Sequence, residues 1–200
     1  MIWLVRLTSA VTAGWLICSR RVLTGANGAF TFSRLPAGRY VLCAQIAASE
    51  QAPANSPYVD TCVWGSGQTP IALAAGQQVA GVVFTAPKGA WLKVRVTDPD
   101  RVLPQVAAKG PAAHEPDLQL ILKGPDKLYR HARFVSSDGI GRNYQAAVPL
   151  KTALRLRVTG RSVNVYDQNG KQVADQDEVG FQPATAMDLN PMTFTLHRKQ

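Results

Sequence analysis

The sequence predicts an all-β protein made of two tandem small β-sandwich domains. Apolar and polar residues alternate along many short stretches, which is the period-two pattern of half-buried strands. The 16 glycines and 13 prolines among the 200 residues suit strands joined by many turns. Charged residues make up only 18% of the chain, and no helix-length stretch combines a 3.6-residue period with caps. The length suits two domains of about 100 residues each.

The chain begins with an apolar stretch. Residues 7–19 carry no charge and follow Arg6, as in the apolar core of a signal peptide. The stretch lacks a small-residue cleavage site followed by a polar mature start, and it is too short to span a bilayer. We therefore expect strands at residues 2–7 and 15–17, and no transmembrane segment.

Residues 24–45 carry the most informative pattern of the chain. Asn27 and Gly28 supply the left-handed backbone that a tight hairpin turn needs. Two phenylalanines alternate with small or polar residues over 29–33, which predicts a strand. The Leu-Pro-Ala-Gly sequence at 35–38 then predicts a sharp corner, because proline fixes φ and glycine relaxes it. A second strand follows this corner.

This stretch resembles the signature T-x-x-x-G-x-F-x-F-x-x-L-P-x-G-x-Y-x-L of carboxypeptidase regulatory-like domains. These are small transthyretin-like (prealbumin-like) β-sandwiches of the broader Ig-like architecture, appended to many secreted bacterial proteins. Residues 71–84 read I-x-L-x-x-G-Q-x-V-x-G-V-x-F, which resembles the end of the same domain. The resemblance covers about residues 2–97, where the first strand of the family is missing. It implies an extracytoplasmic protein (secreted, periplasmic or cell surface) and no reaction, since the module is an accessory to a catalytic domain.

The first domain is therefore expected over residues 1–97. The strands expected after the corner are residues 58–64, 71–73, 79–84 and 91–96. Residues 98–116 contain four prolines and predict a linker or a long surface connection.

The second domain is expected over residues 117–200, as a second β-sandwich. Its strands are expected at residues 118–123, 129–135, 144–148, 154–158, 163–165 and 192–196. Asp167-Gln-Asn-Gly170 is the clearest hairpin turn of this half. Regular spacing of short strands is typical of a sandwich.

Three cysteines occur, at positions 18, 43 and 62. Cys43 and Cys62 fall in strands expected to be adjacent, which would bring them within bridging distance. Given the exported location that the resemblance implies, we expect a disulfide between them. The alternative is two buried free thiols that pack as small hydrophobes. Cys18 is expected to be unpaired and buried.

No catalytic motif appears in the sequence. Nucleotide-binding glycine loops, the serine-hydrolase elbow and the zinc-protease helix motif are all absent. The three histidines, His114, His131 and His197, have no nucleophile or carboxylate at a relay spacing. The acidic residues Asp175, Asp177 and Glu178 lack the spacing of a calcium loop. We therefore expect no catalytic residue, no metal site, no cofactor and no enzymatic activity.

Two sets of residues are candidates for ligand binding. Tyr58 and Trp64 flank a glycine-rich loop, and aromatic faces in such loops stack on sugar rings. The alternative for Trp64 is packing over the cysteine pair in the core. The second set is basic and consists of Lys127, Arg130, Arg133, Arg142, Arg155, Arg157 and Arg161.

The basic set reflects an uneven charge distribution. The net charge is +9, and residues 101–162 hold 11 Lys and Arg against four Asp and Glu. Arg130, Arg133, Arg155 and Arg157 are the leading candidates for an anionic ligand. Nucleic acid is not expected, because no nucleic-acid module appears. The alternative is a solvated strand face.

These observations favour a non-catalytic extracytoplasmic module for binding or assembly, with a polysaccharide or another envelope protein as partner. The competing hypothesis is a structural spacer or protein–protein interaction domain of a cell-envelope protein. Exposed aromatics in the loop at 58–64 would favour carbohydrate. A buried Trp64 and an open apolar edge would favour a protein partner or a spacer.

Overall fold

A computed structural model describes residues 2–7, 17–44, 57–65, 70–103, 118–125, 129–185 and 191–199. The chain divides into two compact units. The first is Met1–Ala52 with Tyr58–Pro87, and the second is Pro53–Pro57 with Lys88–Gln200. The described residues form strands, turns and one short helix, which confirms the all-β fold class.

One antiparallel sheet organises the first unit. Its strands are β1 (Ile2–Leu7), β2 (Ile17–Val22), β3 (Gly38–Ala44) and β4 (Ile71–Leu73). They lie in the order β2-β1-β3-β4. The strands predicted at 2–7 and 71–73 are confirmed. Of the strand predicted at 15–17, only Ile17 is described, as the first residue of β2. Cys18 lies in β2 opposite Val5.

The turn and the corner that precede β3 form as the sequence predicts. Gly28 has a φ of 78°, and its N–H donates to the carbonyl of Gly25 at 2.9 Å. At the corner, the hydroxyl of Tyr40 donates to the carbonyl of Pro36. Tyr40 is only 1% exposed, so this bond satisfies a buried phenol and fixes the corner against β3.

Two predicted strands of the first unit are not strands. Residues 29–33 and 79–84 carry the expected alternation but pair with no strand. Gly81 has a φ of 72°, which breaks an extended ladder in the middle of the second stretch. Both stretches pack instead over one face of the sheet, against the buried Tyr40 and Leu42.

The strand predicted at 58–64 is also wrong, because this stretch contains a short helix, α1 (Thr61–Trp64). The carboxylate of Asp60 accepts hydrogen bonds from the N–H groups of Cys62 and Val63 at the helix start. Gly65 ends the helix with a φ of 55°. The capping Asp60 and the left-handed Gly65, on either side of the four helical residues, therefore override the β propensity of the sequence.

The described residues of the second unit form ten strands in two sheets. One sheet has the order β13-β10-β6-β7 and the other β12-β11-β14-β5-β9-β8. The strands are β5 (Gly89–Thr97), β6 (Leu118–Lys123), β7 (Tyr129–His131), β8 (Arg133–Asp138), β9 (Gly141–Pro149), β10 (Leu154–Gly160), β11 (Val163–Tyr166), β12 (Gln172–Val173), β13 (Val179–Phe181) and β14 (Met192–Arg198).

The boundary expected at residue 97 falls too late. Strand β5 pairs antiparallel with β9 along its whole length and parallel with β14. The hydroxyl of Thr97 donates to that of Thr195 at 2.9 Å across the parallel pair. Residues 89–97 therefore belong to the second unit, because their strand partners β9 and β14 both lie in it. Most of the linker predicted at 98–116 lies outside the described residues.

The strand predicted at 129–135 is divided between the two sheets of the second unit. β7 pairs with β6, whereas β8 pairs with β9. Ala132 stands between them, and its N–H donates to the carbonyl of Leu120. The hairpin turn at 167–170 is confirmed, since Asp167 accepts from the N–H groups of Asn169 and Lys171 at 2.9 Å.

Buried aliphatic side chains fill the core of the second unit, as the alternating pattern predicts. The largest are Leu92, Leu122, Leu154, Leu156 and Leu196. The longest helix in the described ranges has four residues, and none there is long and apolar enough to cross a membrane.

Candidate functional site

An open groove lies on one face of the sheet of the first unit, and we call it the first-unit groove. Two stretches line it, residues 30–35 and residues 76–82, which we call its sides, and Tyr40 and Leu42 of β3 also line it. Its volume is about 790 Å³. The groove exists because the two stretches predicted as strands cover the sheet without pairing with a strand.

The sides of the groove are held in place by apolar packing. Phe30 and Phe32 are half-buried and meet edge to face, with ring centroids 6.0 Å apart. Val82 and Phe84 pack from the other side against the same buried cluster. Each side therefore has an apolar anchor, so the groove does not depend on one loop alone.

Side-chain burial along both sides alternates with a period of two. Residues 30 and 32 are half-buried and residues 31 and 33 exposed, while residues 82 and 84 are half-buried around an 86% exposed Val83. This alternation is that of extended backbone. In the described structure, the backbone of residues 30–33 and 82–84 makes no hydrogen bond. Both stretches thus present unused N–H and C=O groups.

The charge of the groove is positive. Arg34 is the one charged residue among the described residues that line it, and its φ of 55° places it in a left-handed turn. The sequence of the first unit contains five arginines, no lysine, one glutamate and one aspartate. The groove therefore favours a ligand with negative charge beside an apolar centre.

The expected disulfide is present beside this sheet. Cys43 and Cys62 are bonded, with Cα atoms 4.9 Å apart. The bridge joins β3 to α1. The sequence pattern predicts that Cys62 lies in a strand next to β3, and this is wrong because Cys62 lies in the helix. Thr61 adds a second link, since its hydroxyl accepts from the N–H of Ala44 at 2.8 Å. Burial raises the pKa of Asp60, while the N–H groups of Val63 and Cys62 oppose that rise.

The two candidate aromatics do not line the groove. Tyr58 precedes the helix and is 42% exposed. Trp64 is the last residue of α1 and is half-buried. The capped turn at Asp60 separates them, so they are not presented by one strand. Their role in binding stays a prediction.

The structure separates the candidate basic residues. Arg130 lies opposite Leu122 in the β6–β7 pair, and Leu122 lies opposite the buried Leu156. Directly opposed residues point to one face of a sheet, so Arg130 lies on the buried face and is only 7% exposed. Arg155 alternates with Leu156 and so lies on the other face.

Arg157 shares that outer face with Arg155, two residues along β10. Its guanidinium carbon lies 5.7 Å from the centroid of the Tyr129 ring. Arg155 donates to Glu178 at 3.1 Å and Lys123 to the same carboxylate at 3.3 Å. The hydrogen bond from Arg155 is the main cause that lowers the pKa of Glu178. The outer face is thus a paired ionic network with an aromatic member, as in a solvated sheet face.

The remaining basic candidates are dispersed. Arg133 is exposed in β8, in the other sheet. Arg142 is 6% exposed in β9, and Arg161 is exposed in the turn after β10. Lys127 lies outside the described residues. No single basic stripe is formed by the candidates that the structure describes.

Acidic and histidine side chains serve structural contacts. His197 meets Asp100 at 3.0 Å, and this hydrogen bond is the main cause that lowers the pKa of Asp100. Asp177 accepts from the N–H of Ala174 and Asp175 from the hydroxyl of Thr159. Within the described ranges, no three His, Cys, Asp or Glu side chains come together as metal ligands. His114 lies outside those ranges.

Sequence reasoning missed the groove, although its residues carry a clear signal. The alternation at 29–33 and 79–84 was interpreted as two paired strands. A period-two pattern predicts extended backbone but does not reveal whether a neighbouring strand is present. The positive φ of Gly81 and the missing ladder emerge only in the folded unit.

The comparisons with known proteins yield no relative. No family model matches this chain, no curated protein matches it, and no solved structure is similar to its fold.

Proposed function

We propose that this chain is a non-catalytic, extracytoplasmic β-sandwich module for binding or assembly, and that its first unit binds a polypeptide partner. The first unit corresponds to the carboxypeptidase regulatory-like module that the sequence resembles. One observation carries the proposal: the first-unit groove pairs an apolar lining with two stretches of unused backbone hydrogen-bonding groups. A polypeptide satisfies both features at once.

The disulfide supports the proposed location. A bridge between Cys43 and Cys62 persists in oxidising compartments and is rare in the cytosol. The bridge also secures β3, whose Tyr40 and Leu42 lie in the groove. A secreted or envelope protein that must keep an open groove gains from this constraint, because it limits the conformations of the unfolded chain.

A polypeptide is favoured over a polysaccharide by the shape of the aromatic surface. Sugar rings stack on exposed, flat aromatic faces. Phe30 and Phe32 are instead half-buried and set edge to face, and Trp64 is half-buried at the end of a helix. Tyr58 is the one candidate aromatic with a well-exposed ring, and a single ring makes a small platform.

Selection from a library of random peptides displayed on phage tests this function. The matched variants are Val79→Glu and Val135→Glu. Val79 lines the groove and is 44% exposed, whereas Val135 is 45% exposed in β8 of the second unit and is not part of the lining. We expect selected peptides to bind the wild-type protein and Val135→Glu equally, and Val79→Glu at least tenfold more weakly.

A polysaccharide array run on the wild-type protein and on Tyr58→Ala supplies the opposing outcome. If a glycan binds the wild-type protein and not Tyr58→Ala, and no selected peptide prefers the wild-type protein to Val79→Glu, the carbohydrate proposal replaces the polypeptide one. Circular dichroism of each variant checks that the sheets are retained, since both valine side chains are largely exposed.

A further inference from the structure

We propose that the first-unit groove takes its partner by strand addition, as an extended segment of about five residues with acidic flanks from another polypeptide. This inference rests on the proposed function and specifies its ligand. It follows from four features of the groove: its unused backbone groups, the length of its free edge, its charge and the alternation of its sides.

The backbone along the groove provides the pairing partners. Residues 30–33 and 82–84 have the burial alternation of strands but no ladder. An extended segment that lies along residues 30–33, all of which line the groove, gains the hydrogen bonds of a β-ladder. Flexible lipids and sugars do not offer donors and acceptors at the regular repeat of a β-strand, whereas an extended peptide does.

The length of the free backbone edge sets the length of the added segment. Residues 30–33 line the groove and lack backbone partners in the described structure. An edge of this length pairs with an extended segment of about five residues, at a rise of about 3.3 Å per residue. In a segment of this length, alternate side chains point down onto Tyr40 and Leu42.

The chemistry of the lining predicts which side chains the partner has at its inward positions. The floor is apolar and formed by buried residues of β3 with Ile71 and Leu73 of β4. The inward positions of the partner are thus valine, isoleucine or leucine. Its outward positions are polar, because Thr31, Ser33 and the glutamines Gln77 and Gln78 are exposed at the rim.

The positive charge of the first unit predicts acidic residues on either side of the bound segment. It also argues against a second copy of this chain as the partner. Arg34 is the charged residue in the described lining of the groove. The first unit contains five arginines against two acids, so two copies would bring like charges together. An acidic segment is attracted instead. The partner is therefore a separate chain with glutamate or aspartate beside the apolar core.

A synthetic peptide tests the mode of binding. The probe alternates valine and threonine over five positions between paired glutamates, and isothermal calorimetry measures its affinity for the full chain. N-methylation of a single peptide amide removes one donor and blocks one edge. We expect N-methylation at one of two successive central residues, the one whose N–H faces the paired edge, to weaken binding at least tenfold and N-methylation at the other to have little effect, because successive N–H groups of a strand point to opposite sides.

The charge component has its own variants. Arg34→Glu should weaken binding of the glutamate-flanked peptide about two- to fivefold and strengthen binding of a lysine-flanked version. Lys171→Glu makes the same change of net charge at an exposed hairpin turn of the second unit and should leave both affinities unchanged.

The outcomes separate this inference from the function on which it rests. Peptide binding that Val79→Glu abolishes but N-methylation does not affect would overturn strand addition and leave polypeptide binding standing. If no peptide binds, including those from the phage selection, both strand addition and polypeptide binding are overturned. A concentration-dependent dimer in sedimentation that Val79→Glu dissociates would overturn the separate partner and make a second copy the occupant.

Discussion

Replacing Cys43 and Cys62 together by alanine should lower the free energy of unfolding of the first unit by about 3 kcal/mol. The two residues are 19 apart in sequence, so the bridge closes a loop of about 20 residues. In the chain-entropy account, closing such a loop removes about 11 cal/mol/K from the unfolded ensemble, which is about 3 kcal/mol at 25 °C. A unit of this size has a total stability of only about 5–10 kcal/mol, so the loss is a large fraction.

Urea denaturation followed by tryptophan fluorescence measures this loss. Trp91 is the one tryptophan in the sequence of the second unit, so a Trp91→Phe background confines the signal to the first unit. Reducing the parent protein without substitution is the matched control, since it breaks the same loop and keeps both sulfur atoms. The reasoning is refuted if both treatments cost under about 1 kcal/mol, because the loop would then not constrain the unfolded chain.

Three predictions concern the second unit. Leu156→Ala should cost about 2–5 kcal/mol in a urea titration of that unit, because the side chain is fully buried. Gly141→Ala would place a Cβ 2.6 Å from the Arg95 guanidinium, which pairs with Asp138 at 2.9 Å. Since that contact holds the pKa of Asp138 low, we expect a rise in its carboxyl pKa, measured by NMR titration, with little change in stability. The pKa of Glu178 is lower in the folded chain than the usual pKa of a glutamate. The ionised carboxylate therefore stabilises the fold at pH values above that usual pKa, and this contribution is lost as the pH falls through the folded pKa. Glu178→Gln should therefore weaken the dependence of the melting temperature on pH below about 4.5, and a variant with the parent's acid dependence would contradict this assignment.

The sequence determined the local elements that depend on neighbouring residues. The turn at Asn27 and Gly28, the corner at Pro36 and the hairpin at 167–170 form as predicted, since each needs a particular backbone angle that its own residues supply. Strong alternation also located β3 and β10. Local chemistry misled at residues 58–64, where the Asp60 cap and the Gly65 terminator outweighed the β pattern.

Strand partners could be predicted only in part. The alternation of β5 is clear in the sequence, but its assignment to the second unit depends on β9 and β14, which lie about 50 and 100 residues downstream. Likewise, Arg130 and Arg155 have similar surroundings in the sequence, while the register of three strands places them on opposite faces. A shift of one residue would reverse that result.

The candidate site also depends partly on features that the sequence predicts and partly on features that only the tertiary structure shows. By itself, the sequence determined that this chain is all-β and that its turns fall where glycine, proline and asparagine permit them. It left Cys43 and Cys62 as either a disulfide or two buried thiols, and the structure shows the disulfide. Only the tertiary structure decided that residues 30–33 and 82–84 pair with no described strand and instead pack over the sheet beside the first-unit groove. The physical reason is that side-chain period reports the conformation of one segment, whereas hydrogen-bonded pairing depends on residues far away in the chain.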